Sequence, residues 1–168
     1  IPGDFLTGGV SDYKGVFYSV GFLGGRIYSY DPETGNHKVT DHLFPDHHAG
    51  YDMTFYNGKL CFTVRREGDL LHKFYCVDLS TLEKEYYFDM KLDSSHISRI
   101  TGISTKADSC GAEHISFSPI AANPLINPGP WKIYEYYPEQ DTMIGYCDSL
   151  YPQQVAGAFG AAHRYEYL

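Results

Sequence analysis

Three side chains of this chain could supply acid–base chemistry. They are His48, which follows Asp46 and His47, the carboxylate of Asp52, and His96. An imidazole exchanges a proton near neutral pH and can ligate a metal, and a carboxylate can serve as a base or hold a cation. Neighbouring side chains of an extended segment point in opposite directions, so at most one of His47 and His48 is expected to face a shared site. We therefore take Asp52, His48 and His96 as candidate catalytic residues. If the chain is an enzyme, a divalent cation is the one cofactor that these residues would use.

A second set of side chains could bind a polar ligand. Imidazoles, a guanidinium and amides donate and accept hydrogen bonds, and a lone indole offers a surface on which a sugar ring can stack. The candidate ligand-binding residues are His47, His48, Arg99, Gln153, Gln154 and Trp131. Two plainer alternatives remain open, namely that these polar loop residues only face water and that Arg99 forms a structural ion pair with Asp52.

The four cysteines are compatible with two disulfide bonds, in any of three pairings. Cys61 and Cys76 fall on neighbouring antiparallel strands, in a register that opposes them directly and also opposes Arg65 to His72. We predict a Cys61–Cys76 disulfide, the alternative being two buried small apolar residues. Cys110 and Cys147 would form the other bond. No Cys-x-x-Cys spacing occurs, which argues against a structural zinc site.

Composition and charge exclude several classes of protein. The apolar fraction of 43% over 168 residues is enough for a folded core. A net charge of −8 disfavours nucleic acid and anionic membrane surfaces as partners, and no apolar stretch is long enough to span a membrane. The chain begins at Ile1 without a signal-like segment, as expected of a processed secreted chain or of a piece of a longer one.

The elements that must position these residues are repeats. One six-residue phrase recurs at residues 26–31, 73–78 and 132–137. Its positions are, in order, a basic residue, an apolar residue, Tyr, a small or polar residue, an apolar or aromatic residue, and the start of a turn. A short apolar phrase precedes each copy, at residues 16–19, 60–63 and 115–118. Repetition at a spacing of roughly 40–50 residues predicts a repeat architecture.

Each repeat is predicted to be a meander of four short strands. Asn57-Gly58 is a strong signal for a two-residue hairpin turn, and residues 31–35 supply the Pro and Gly of a second turn. The predicted units are residues 5–43, 50–92 and 100–150, with a partial unit at 153–168, all within one domain covering residues 1–168. The long loop of the third unit contains four prolines and is predicted to include Trp131.

Residues 24–35, Gly-Gly-Arg-Ile-Tyr-Ser-Tyr-Asp-Pro-Glu-Thr-Gly, resemble the third strand and following turn of β-propeller blades. The blade pattern is similar to that of kelch-type propellers and of the gluconolactonase and strictosidine-synthase group. The resemblance implies an all-β, propeller-like fold of about three and a half blades. It also implies that the loops between units surround the mouth of a central channel, where propellers usually bind ligands. Asp52 aligns there with glycines of the other units, Gly8, Gly102 and Gly157.

The number of blades raises a question of closure, because propellers typically have about four to eight blades. A second chain could supply the remaining blades, or two copies of this chain could close one ring. Alternatively, the strands could form a single closed antiparallel barrel of the lipocalin type.

The sequence leaves three functions open. The first is a secreted, lectin-like binding protein that holds a small polar ligand, such as a glycan, or a protein partner at the rim of the channel. The second is a propeller-type hydrolase, lactonase or lyase that uses Asp52 with His48 or His96. The third is a barrel that holds a small apolar ligand. The sequence does not decide whether the chain is an enzyme.

Overall fold

The structure is a computed structural model that describes residues 11–66, 69, 71–91, 97–121 and 131–148. Its strands form three separate four-stranded sheets, each with its strands in chain order. The chain divides into two compact units, residues 1–90 and residues 91–168. Sheet 1 and sheet 2 belong to the first unit, and sheet 3 belongs to the second. Within the described residues no helix is long and apolar enough to cross a membrane.

Sheet 1 contains β1 (Ser11–Tyr13), β2 (Val16–Val20), β3 (Ile27–Tyr30) and β4 (His37–Val39), all paired antiparallel. The predicted second turn lies between β3 and β4. There the Asp31 carboxylate accepts hydrogen bonds from the backbone and hydroxyl of Thr34. These bonds lower the pKa of Asp31 and stabilise the turn in its folded form.

Sheet 2 contains β5 (His48–Tyr56), β6 (Lys59–Arg65), β7 (Leu71–Asp78) and β8 (Lys84–Lys91). The predicted hairpin turn joins β5 to β6, where Asn57 and Gly58 have φ values of 47° and 76°. Positive φ at both central residues is what a type I′ turn requires, and Asn and Gly adopt it readily.

Sheet 3 contains β9 (Ile97–Ala107), β10 (Glu113–Ala121), β11 (Trp131–Tyr137) and β12 (Thr142–Asp148). A short 3-10 turn, Pro138–Gln140, joins the last two strands. Trp131 opens β11 and pairs with Asp148, so its expected place in the long loop is wrong. The aromatic character of the phrase Trp-Lys-Ile-Tyr extends the strand by one residue toward the prolines.

The described strands do not close into a single barrel, because they form three distinct meanders. The barrel alternative is therefore wrong for this part of the chain, and with it the apolar ligand inside a barrel. The predicted partial unit at 153–168 lies outside the described residues.

The core of the first unit joins sheet 1 to sheet 2. Side chains alternate along β6, and Leu60, Phe62 and Val64 on one face are fully buried. They belong to one cluster with residues of sheet 1, the connecting loop, β5 and β7, namely Val20, Ile27, Phe44, Ala49, Met53 and Val77. Burying a side chain of this size stabilises the folded state by roughly 1.5–3 kcal/mol. The two sheets are thus fixed against each other.

The predicted disulfide is confirmed. Cys61 on β6 lies directly opposite Cys76 on β7, and the two sulfur atoms are bonded. The bond lies on the face of β6 opposite to Phe62, because side chains alternate along a strand. Cys110 is a free, exposed thiol, which contradicts its expected place in a second disulfide. It lies in the wide turn that leads into β10, and the side chain of Cys147 lies outside the described residues.

Candidate functional site

The loop that enters β5 uses His47 for its own structure. The His47 ring donates through Nδ1 to the carbonyl of Pro45 at 2.9 Å, and Asp46 adopts a positive φ of 64°. The backbone carbonyl of His47 accepts a hydrogen bond from the amide of Gly24 at 2.9 Å. His47 therefore ties this loop to sheet 1.

His48 begins β5 and has a different environment. Its ring stacks on Phe22 with centroids 4.3 Å apart, and its backbone forms a bridge with Leu23. The neighbouring amide of Ala49 donates to the carbonyl of Phe22 at 2.8 Å. The start of β5 is thus held on both sides, by β6 and by the segment that follows β2.

His48 belongs to a row of three basic side chains across sheet 2. Its register partner on β6 is Arg65. The ladder between β6 and β7 ends at the pair Val64–Lys73, and its register, extended by one residue, sets Arg65 opposite His72 at the start of β7. Residues that face each other across antiparallel strands project from the same face. We call His48, Arg65 and His72 the rim row, because they lie at the end of sheet 2 where β5 begins.

The electrostatics of the rim row are set by burial and by Arg65. His72 is 2% exposed. Burial, the larger cause, and the positive charge of Arg65 together lower the pKa of His72 from 6.5 to about 4, and the charge of Asp69 opposes the shift. His72 is therefore neutral at pH 7, whereas the guanidinium of Arg65 keeps its charge.

Each member of the rim row has a buried nitrogen that finds no protein partner in the part of the chain that the structure describes. These atoms are Nδ1 of His48, Nε of Arg65 and Nε2 of His72. A buried polar group without a hydrogen bond costs about 1–3 kcal/mol. Buried polar groups are normally paired, so three such atoms in one row indicate a place built to bind polar atoms.

Asp52 lies further along the same strand, in an irregular stretch. Between the pairs Ala49–Val64 and Met53–Phe62 the register shifts, so that β5 bulges. The Asp52 carboxylate accepts a hydrogen bond from the amide of Met53 at 2.9 Å. A Cβ on Gly50 would lie 3.0 Å from the carbonyl oxygen of Asp52, so the bulge needs glycine there. Such bulges often redirect a side chain beside a functional site.

Most of the other predicted site residues lie beyond what the structure describes. His96, Gln153 and Gln154 are outside the described residues. Arg99 of β9 pairs with Ile120 of β10, and Trp131 begins β11. The side chains of Arg99 and Trp131 are not described. The convergence of Asp52, His48 and His96 on one cavity therefore stays a prediction.

Sequence reasoning missed Arg65 and His72 as site residues. The signal was present, because the register that pairs Cys61 with Cys76 also brings Arg65 opposite His72. What the sequence did not show was that His72 is buried and Arg65 half-buried beside the first residue of β5.

A divalent cation does not fit the rim row, since the Arg65 guanidinium would repel it. In the described part of the chain no group of three His, Cys, Asp or Glu side chains comes together in a way that could hold a metal ion.

A second buried histidine lies in the other compact unit. His114 on β10 stacks on Tyr137 with centroids 4.9 Å apart, and its Nε2 lies 3.7 Å from Oε1 of Glu135. The Tyr137 hydroxyl donates to Glu135 at 3.3 Å. Glu135 is thus held by Tyr137, whereas both ring nitrogens of His114 are buried without a hydrogen-bond partner among the described residues.

A concave surface of ≈ 280 Å³ lies between sheet 1 and the turn joining β7 to β8. Tyr18, Ser29, Lys38 and Leu79 are among its lining residues. Its polar groups do not converge as those of the rim row do, because the Asp31 carboxylate is engaged in its own turn.

No family model matches the chain, and no curated protein matches its sequence. Among solved structures, the chain is similar to an oligogalacturonate lyase in complex with manganese, with a TM-score of 0.52 and 11% sequence identity. The match covers 82% of this chain and 35% of the lyase, so the chain spans about a third of the length of that protein. At this identity the likeness concerns the fold, and it confirms the predicted propeller-like all-β architecture.

Proposed function

We propose that this chain forms part of an extracellular, lectin-like binding protein that holds a small polar ligand of the carbohydrate class. The proposed site is the end of sheet 2 where the rim row lies. The observation that carries the proposal is the set of three buried nitrogens without protein partners on His48, Arg65 and His72. Phe22 supports it, because a few convergent polar groups beside an aromatic ring are typical of ligand sites.

The extracellular location is supported by the Cys61–Cys76 disulfide, since disulfides persist mainly in oxidising compartments. A second chain, or a second copy of this one, would complete the propeller. This part of the proposal is supported by the three four-stranded sheets that the described residues form, since a propeller typically has about four to eight blades.

Calorimetric titration with a panel of neutral and acidic oligosaccharides tests the proposed function. At least one member of the panel should bind the native chain. His48→Ala should weaken that binding by about tenfold or more, since it removes a hydrogen bond that a desolvated ligand cannot replace. His37→Ala is the matched control, because His37 is exposed on β4.

The proposal is wrong if no oligosaccharide in the panel binds, or if both histidine variants bind with native affinity. Circular dichroism and thermal melting of each variant show whether a loss of binding reflects the site or the fold. If the chain binds a protein partner and no sugar, the ligand at the rim is a protein and not a carbohydrate.

The second candidate is a propeller-type lyase or hydrolase with Asp52 as the base and His48 or His96 as its partner. One observation favours it, the likeness of the fold to an oligogalacturonate lyase. In this alternative a divalent cation would be held by the Asp52 carboxylate and not at the rim row, because the Arg65 guanidinium would repel it there.

Mass spectrometry of oligogalacturonate incubated with the native chain tests the enzymatic alternative. Hydrolysis adds the atoms of water to the products, whereas elimination does not. Asp52→Asn should abolish product formation without loss of stability, because three of the predicted repeats have glycine at the aligned position. The alternative is wrong if the native chain forms no product, with or without added Mn²⁺.

A further inference from the structure

We infer that the rim row is an anion subsite that takes a carboxylate group of the ligand. The inference deepens the proposed function and rests on it for the location of the site. The charge of the ligand is inferred independently, from the groups of the rim row. Arg65 lies at the centre of the row, with His48 opposite it on β5 and His72 opposite it on β7.

The charges around the row favour an anion. Arg65 provides the permanent positive charge, and the imidazole of His72 is neutral at pH 7. The carboxylate of Asp69, whose charge acts on His72, accepts a hydrogen bond from the amide of Leu71 at 3.0 Å through Oδ1. Arg65 reaches the backbone carbonyl of Asp69 through Nη1 at 3.5 Å. The guanidinium is therefore left with a buried Nε–H that no described protein group accepts.

The hydrogen-bonding groups of the row match a carboxylate. A neutral imidazole has one N–H donor, and the ring nitrogens without partners are Nδ1 of His48 and Nε2 of His72. With protons on these two atoms, the row presents three donors beside one positive charge. A carboxylate has two oxygens that accept up to about four hydrogen bonds, and a bond to a guanidinium is charge-assisted.

A neutral ligand would leave the row incompletely satisfied. A sugar hydroxyl can accept from one of the three donors, but it carries no charge opposite to that of Arg65. Arg65 is half-buried, and a partly desolvated charge gains from a counter-charge, so the row discriminates in favour of anions. The net charge of the chain is −8, which makes this preference a local property of the row.

Acetate and acetamide are the probes for this inference, because they share a shape and differ in charge. Each is titrated into the ¹⁵N- and ¹³C-labelled full chain at pH 7, with the ring signals of His48 and His72 and the Arg65 Nε–H signal as readouts. Acetate should shift all three sets of signals with a saturable profile, and acetamide should leave them within error of buffer.

Three variants locate the effect. Arg65→Gln should weaken the apparent acetate affinity about tenfold or more, because it removes the charge-assisted bond. Arg65→Lys keeps the charge, and should retain part of the affinity without the fork geometry of the guanidinium. Arg66→Gln is the matched control, since Arg66 is the exposed neighbour on the same chain segment, and should bind acetate as the native chain does.

The inference is overturned if acetate and acetamide act equally, or if Arg65→Gln and Arg66→Gln respond alike. The comparison of the two probes needs no variant, so a failure of Arg65→Gln to fold does not affect it. A chain that binds acetate through Arg65 but binds no oligosaccharide would reject the proposed carbohydrate function and support the anion subsite. A chain that binds a neutral and an acidic sugar equally well would support the proposed carbohydrate function and reject the anion subsite.

Discussion

At the scale of single residues, His72 is the member of the rim row whose chemistry the fold changes most. Its side chain is almost completely buried, with Arg65 opposite it on β6 and Asp69 in the loop between β6 and β7. Burial and the guanidinium together disfavour the imidazolium form. The folded protein therefore holds a neutral histidine where the unfolded chain has an ordinary one.

This difference makes the stability of the protein depend on pH. The pKa of His72 is lowered to about 4 in the folded state, from 6.5, so between these values the unfolded state binds more protons. As the pH falls through this window, the free energy of unfolding should decrease by up to about 3 kcal/mol. Urea denaturation at a series of pH values from 7.5 downward measures the decrease.

His72→Gln should flatten this pH dependence, whereas His37→Gln, at an exposed position on β4, should leave it as in the native chain. The slopes of stability against pH are compared, because the substitution at a buried position also changes absolute stability. Equal slopes for all three proteins would show that His72 titrates normally in the folded state.

Sequence reasoning reached part of the site at this scale. His48 was a candidate because of its type and its place between two repeats. Arg65 and His72 are brought together by the hairpin register alone, but the burial of His72 depends on packing against other elements. The bulge at Asp52 could not be predicted, since a bulge reflects how a strand fits its neighbours in space.

At the scale of elements, the β6–β7 hairpin connects the fold to the site. The Cys61–Cys76 bond fixes the register of these two strands, and the same register places Arg65 opposite His72. A slip of one residue would move every side chain of β7 to the other face. The disulfide therefore stabilises the sheet and also preserves the rim row.

Removal of the disulfide should destabilise the protein measurably. The two cysteines are separated by 15 residues. A loop of about that length, once cross-linked, contributes about 3 kcal/mol through the unfolded state. The double variant Cys61→Ala with Cys76→Ala should lose about this much in chemical denaturation.

Cys110→Ser is the control for the loss of a cysteine, because Cys110 is free and exposed, and it should be close to neutral. A double variant as stable as the native chain would contradict the bond. The double variant should also bind acetate more weakly than the Cys110→Ser control, if the hairpin register supports the row.

The elements themselves were well predicted, because their signals are local. Asn57-Gly58 and residues 31–35 specify tight turns through the dihedral preferences of a few residues. The start of β11 was missed because the prolines before Trp131 marked a loop, and their number obscured where the strand begins.

At the scale of the whole molecule, the repeat decided the architecture. Three meanders of four strands follow the three copies of the phrase, and the fold is similar to that of a propeller lyase. The division into two compact units was not predicted, since it depends on packing between repeats and not on their sequence pattern. The expected disulfide at Cys110 is wrong because Cys110 is exposed in the turn between β9 and β10, a position within the third repeat that the sequence pattern does not specify.

The proposed completion of the ring predicts an assembly. Light scattering on a size-exclusion column should give about twice the mass of one chain if two copies close the propeller. If the native chain stays monomeric, a second, different chain would be needed to close the propeller. If the native chain is a stable monomer and still binds an oligosaccharide, the site needs no second copy of the chain.

The central claim is that the rim row binds the ligand, and histidine ring signals test it most directly. The ¹H–¹³C spectrum of the full chain is recorded during titration with the oligosaccharide that binds best in calorimetry. The account predicts saturable shifts for His48 and His72, with the signals of His37 and His114 unchanged. Binding that shifts His37 or His114 and leaves His48 and His72 unchanged would contradict it.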